Sequence, residues 1–166
     1  MFKLSKVLVV IGLVLVNVSL TQAKEFKPPE FSDFQKKEMY WLAKGIYFES
    51  RGEAPAGQVK VGEVILNRMI DSRWPKTIEK VVRQGEKRRH RCQFSFMCDG
   101  KPEKVVNLKA WQLAVDIAYM LYWRYTRGET GETCAHSYYA EYATNISYFS
   151  RLEREEQVGA HIFFCD

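Results

Sequence analysis

The break between Ser50 and Pro55 constrains this fold more than any other stretch of the chain. Upstream of it, Met39, Leu42, Ala43 and Ile46 fall at i, i+3, i+4 and i+7, one face of a helix. Ser32 or Asp33 is suited to cap its start, and Gly52 to end it. Pro55 then stands where a proline can open a helix, because the first turn does not use the N–H that proline lacks. Val61, Gly62, Ile65, Leu66 and Met69 supply the second helix's inner face. Ala56, Gly57 and Gly62 are small enough to let another helix come close. The end of the first helix carries Tyr47-Phe48-Glu49-Ser50-Arg51-Gly52-Glu53, with a carboxylate directly after two aromatic residues.

The remaining pattern is mostly helical, then changes. Asp71-Ser72 ends the second helix, Trp74-Pro75 makes a turn, and Thr77 can cap a short helix through Gln84. Gly85 to Lys104 is irregular and long for a connection, which marks it as a functional or flexible loop. Asn107 can cap a helix from Leu108 to about Tyr125, closed by Gly128. Ala135 to Tyr142 and His161 to Phe164 have strand composition, while Ser147 to Glu156 has weak helical character. These elements predict an α+β domain over residues 37–166, mainly helical with a small C-terminal antiparallel β-sheet.

Residues 1–23 are expected to lie outside that domain. Lys3 and Lys6 precede an apolar run, Val7 to Leu20, and Thr21-Gln22-Ala23 offers small residues at a cleavage site. The run is short for a membrane span of about 20 residues. A secretory signal peptide is therefore expected, with the mature chain starting at Lys24 and residues 24–36 a loose lead-in. A retained anchor is the alternative. Without Lys3 and Lys6 the formal charge of +5 falls to about +3. That balance suits an anionic polymer. The local cluster Lys87-Arg88-Arg89-His90-Arg91 has no nucleic-acid-binding signature around it, so no nucleic-acid partner is expected. All four cysteines follow the leader, and an even number in an exported chain points to disulfides. Cys92–Cys98 and Cys134–Cys165 are the favoured pairs. Zinc is disfavoured because no close Cys-x-x-Cys pair exists, and no metal or cofactor is expected.

Glu49 is the candidate catalytic residue. It faces the unfavourable pole of the helix dipole beside apolar groups, two influences that keep a carboxyl protonated near neutral pH. Protonating the oxygen between two sugars needs such an acid. Glycosidases usually add a second carboxylate, about 5–5.5 Å or 6.5–9.5 Å away. Glu53 is placed poorly for that, and Asp99 is a distant candidate. With one acid alone, a muramic sugar can supply its own 6-hydroxyl as nucleophile and leave an anhydro product. Three other readings stand beside this one. A metal-dependent amidase, cutting N-acetylmuramoyl-L-alanine, would draw on His90, His136 and His161. A cysteine peptidase would use Cys134. A non-catalytic wall-binding domain would keep the fold without the reaction.

The stretch Trp41 to Glu53 resembles the opening motif of the spore-cortex-lytic type of bacterial cell wall hydrolase. The resemblance continues through Gly57-Gln58-Val59, Val64 to Arg68, Cys92 to Phe96 with Asp99-Gly100, Ala135 to Tyr139, and Gly159 to Phe164. It covers nearly all of Tyr40 to Phe164, in order. It implies a lysozyme-like fold that cleaves the β-1,4 bond between N-acetylmuramic acid and N-acetylglucosamine in peptidoglycan glycan strands. Lytic transglycosylase action is implied, with Glu49 as the matching acid. Gln58, Asn67, Gln93, Phe94, Ser95, His136 and Tyr138 carry over as groove or support residues. Ser50 stands where the family usually has alanine, and Asn145 to Phe149 fits the family pattern poorly. A monomer in the periplasm or outside a bacterium, free of the membrane after cleavage, is the expected context.

Overall fold

A computed structural model describes residues 29–87, 91–129, 131, 133–142 and 147–166. The expected leader, part of the basic cluster at 87–91 and part of the segment 145–149 lie outside these residues. The unit Phe31–Asp166 begins with helix α1, Asp33–Ser50. Ser32 caps it reciprocally: its hydroxyl accepts from the Gln35 N–H, and the Gln35 amide oxygen accepts from the Ser32 N–H. Helix α2, Pro55–Ile70, opens on its proline. Thr77 caps the short helix α3, Ile78–Val82, by accepting from Lys80 N–H. The start of α3 is also held by Glu38, a buried carboxylate on α1 that accepts from the Ile78 and Glu79 amides. Asn107 caps helix α4, Leu108–Thr126, by accepting from Ala110 N–H.

The core lies where α1, α2 and α4 meet. Leu42, Ile46, Tyr47, Val61, Ile65 and Ala114 are among its fully enclosed residues. Gly62 makes the close approach possible. A methyl group there would stand 2.5 Å from Leu121 Cδ1 and 2.9 Å from Ile46 Cδ1. Tyr47 is a core ring with a working hydroxyl, which accepts from the Val106 and Asn107 amides and fixes the approach to α4.

Three antiparallel strands, β1 (Ala135–Ala140), β2 (Glu153–Val158) and β3 (His161–Cys165), pair in the order β1-β3-β2. The structure corrects one expectation here. Only Phe149–Arg151 of the segment 147–156 is helical, a single 3-10 turn, and the residues after it are a strand. The local helix-favouring run Glu-Arg-Glu-Glu-Gln yields to pairing with β3, which a two-residue turn places directly alongside. Gly159 supplies that turn's φ of +60°, and a side chain there would run into the Glu53 carboxylate. Lys60 on α2 fastens β2 by pairing with Glu155 at 3.2 Å and with Glu156. Cys134 is bonded to Cys165, joining the entry of β1 to the end of β3, and Cys92 to Cys98, closing the loop before α4. Among the described residues no helix is long and apolar enough to cross a membrane.

Candidate active site

Glu49 sits in the last turn of α1 with its carboxyl turned inward. Tyr138 on β1 donates its hydroxyl to Oε2 at 3.3 Å. Oε1 is buried without a hydrogen-bond partner, although the Ser95 N–H is near enough to favour the charged form. Removal from water dominates and lifts the pKa to about 6. The Tyr138 hydroxyl, the Ser95 amide and the Arg68 guanidinium each pull the other way, and together they do not offset burial.

The dry surroundings come from two directions. Phe48 stacks on Phe96 at 4.8 Å between ring centres and meets Tyr47 edge-on at 4.9 Å. Phe96 and the enclosed Phe94 belong to the Cys92–Cys98 loop, so the disulfide holds an apolar wall against the end of α1. On the sheet side, Tyr138 is packed edge-on against His161 and tilted against Phe163. Burial lowers the pKa of His161, which favours the neutral ring.

Arg68 was not singled out by the sequence. It is a buried cation at the end of α2, stacked over Trp74 and Phe94, and it donates to the His136 carbonyl at 2.6 Å. Its one readable signal is its position in the matching stretch Val64 to Arg68, next to Asn67. His136 is the extra residue of a β-bulge in β1. Its ring nitrogens lie 3.3 and 3.4 Å from Asp71 and Asp166, and Arg73 pairs with the same two carboxylates.

The other expected residues take separate positions. Asn67 donates to the carbonyls of Thr133 and Ala135, fixing the start of β1 on α2. Gln58 is enclosed in the first turn of α2 and donates to the Glu53 carbonyl. Gln93 and Ser95 are exposed on the disulfide loop. Glu53 is taken up elsewhere: Oε2 accepts from the Ala160 N–H and Oε1 lies 3.9 Å from His161 Nδ1, so it pins the β2–β3 turn. Asp99 is exposed, and its Oδ1 accepts from Lys101 N–H. Among the described residues the only convergence of metal-binding donors is Cys134, Glu155 and Cys165, and both its sulfurs are already bonded to each other. Among the described residues, one acid in a dry wall, without a second free carboxylate beside it, is therefore the chemical content of the candidate site.

The family model described as Cell Wall Hydrolase matches residues 52–164. The chain belongs to this family. The matched span begins just after Glu49, so the candidate acid of this cell wall hydrolase lies outside the matched residues. A spore cortex-lytic enzyme of Bacillus cereus is 36% identical over 66 residues, which is 36% of this chain and 26% of that relative. The match thus spans about a quarter of the curated relative's length. Among solved structures, the catalytic domain of the Bacillus cereus SleB protein is 26% identical with a TM-score of 0.56. That alignment covers 84% of this chain and 94% of the other. The catalytic domain of the germination-specific lytic transglycosylase SleB from Bacillus anthracis gives the same identity and TM-score and is covered completely. The cell wall hydrolase therefore has the SleB catalytic-domain fold, helical with a small antiparallel sheet.

Proposed function

We propose that this chain cleaves the glycan strands of peptidoglycan as a lytic transglycosylase, with Glu49 as its single acid and base. The observation that carries the reading is the carboxyl of Glu49, half-buried and held by one hydroxyl, with a pKa of about 6. At that pKa the proton is present on the acid side of neutrality and can still be given up. Glu49 donates it to the oxygen bridging muramic C1 and glucosamine C4, the C1–O bond breaks, and the glucosamine leaves with a free 4-hydroxyl. The resulting carboxylate, steadied by Tyr138 and Arg68, removes the proton from the muramic 6-hydroxyl as that oxygen bonds to C1. The product is a 1,6-anhydro sugar, no water is consumed, and Glu49 regains its proton.

In this reading Ser95, Gln93 and Tyr138 face the sugar chain. Gln58, Asn67, Phe94 and His136 hold the frame through the contacts described above. The leader over residues 1–23 directs export, and the mature monomer works in the periplasm or outside the cell. The SleB domain of Bacillus anthracis, described as a lytic transglycosylase, supports the choice of reaction.

The test is the protein purified from its exported form and incubated with peptidoglycan. Mass spectrometry is expected to find soluble muropeptides with anhydro-muramic ends. Glu49→Gln should lower their release about 10²–10⁴-fold, the range for a general acid, with an unchanged circular dichroism spectrum. Undiminished release by that variant sinks the assignment. Hydrated reducing ends would mean hydrolysis by water instead, and free stem peptides an amidase.

A further inference from the structure

A depression of about 250 Å³ is lined by Ser95 and by Phe48, the residue before Glu49. It is near the lower end of the roughly 300–1,000 Å³ range of small-ligand sites. Ser95 connects the two places, because it lines the depression while its amide stands beside the Glu49 carboxyl. The stacked pair Phe48 and Phe96 gives the depression part of its apolar lining. Its rim is charged in both senses. Arg51, Lys101 and Lys104 supply three exposed cations, and none of them pairs with a carboxylate among the described residues. The Arg51 guanidinium only overlies the Tyr47 ring, 5.2 Å from its centre. Asp99 and Glu103 stand among them as exposed acids.

A neutral sugar would use none of these charges. The muramic residue also carries, through a lactyl ether at C3, a peptide with small methyl-bearing residues, free carboxylates and, in many walls, a diamino acid. C3 is next but one to C1 on the ring, so an acid at the C1 oxygen has that peptide at its side. We propose that the depression binds this peptide, its carboxylates at Arg51, Lys101 and Lys104, its amine at Asp99 or Glu103, and its methyl groups over Phe48 and Phe96. The enzyme then prefers peptide-bearing glycan to bare glycan. This rests on the assignment of Glu49 as the acid, since that fixes which end of the muramic ring faces the depression.

Binding can be measured apart from turnover. The Glu49→Gln protein is titrated by calorimetry with a disaccharide tetrapeptide from peptidoglycan and with the same disaccharide lacking the peptide. The peptide form should bind about tenfold more tightly, the combined worth of a few exposed ion pairs. That advantage should disappear when Arg51→Ala, Lys101→Ala and Lys104→Ala are added, and shrink in high salt. In protein with Glu49 intact, the triple variant should raise KM for whole peptidoglycan and leave cleavage of amidase-stripped glycan unchanged. All three side chains are exposed, so folding is not at risk. Equal affinity for the two ligands, or a peptide preference that survives the triple variant, overturns the proposal. Cleavage of neither glycan by the unmodified protein would overturn the reading of Glu49, and the calorimetry would still decide the depression.

Discussion

At the scale of single residues, the position that suits Glu49 to the proposed acid role is also a cost to the fold. Its pKa rises from 4.5 to about 6 on folding. The folded state therefore binds this proton more tightly than the unfolded chain does. The benefit is complete below pH 4.5 and is lost as pH rises through 6. A shift of that size corresponds to roughly 2 kcal/mol. Glu49→Gln removes the penalty, so the variant should be more stable than the parent by about 2 kcal/mol at pH 8. The two should become equal near pH 4. Denaturant melts at both pH values measure this, and an identical gap at both would show that the carboxyl is not desolvated. The same sign applies to turnover: as an acid, Glu49 is depleted above pH 6, so the rate falls on the alkaline side.

At the scale of elements, two glycines of the helical pair behave oppositely. Gly62 lies under the enclosed side chains of Ile46 and Leu121, whose Cδ1 atoms would stand 2.9 and 2.5 Å from an added methyl group. Gly62→Ala should cost about 1–3 kcal/mol from overpacking, reduced by up to about 1 kcal/mol of helix propensity. Gly52 has nothing within 4 Å of a would-be methyl and is not among the glycines with positive φ. Gly52→Ala should therefore be neutral or slightly stabilising, by at most about 1 kcal/mol. Urea titrations of the two variants decide both. Gly52 is thus not the conformational stop that its place in the sequence predicts, and the helix ends on Arg51 in a right-handed turn.

The helices were legible because their start signals are local. Ser32, Pro55, Thr77 and Asn107 each act within their own first turn. Strand β2 was not legible, because its partner His161–Cys165 and its anchor Lys60 lie outside any short window. The site divides in the same way. The aromatic neighbours of Glu49 are adjacent in sequence or sit within the cysteine loop, whereas Arg68 gains its place only when α2 meets the bulge at His136.

At the scale of the whole molecule, the two disulfides have different tasks. Cys134–Cys165 closes a separation of 31 residues and ties the last strand to the first. Replacing both with serine should lower stability by about 3–4 kcal/mol in the chain-entropy model. Cys92–Cys98 closes a separation of only 6 residues. Its loss should remove less stability, about 2 kcal/mol, yet reduce activity more, because the loop carries Phe94 and Phe96. Paired melts and turnover measurements on the two double variants test this division. It fails if the long-loop variant loses more activity per unit of stability than the short-loop variant.

Strand β2 lies on an open flank of the sheet and presents Glu153, Arg154 and Glu156 to solvent. A second copy drawing up alongside would have to bring its own charged side chains against these before any main-chain bond could form. Charge along that flank deters the lateral zippering that turns crowded proteins into fibres.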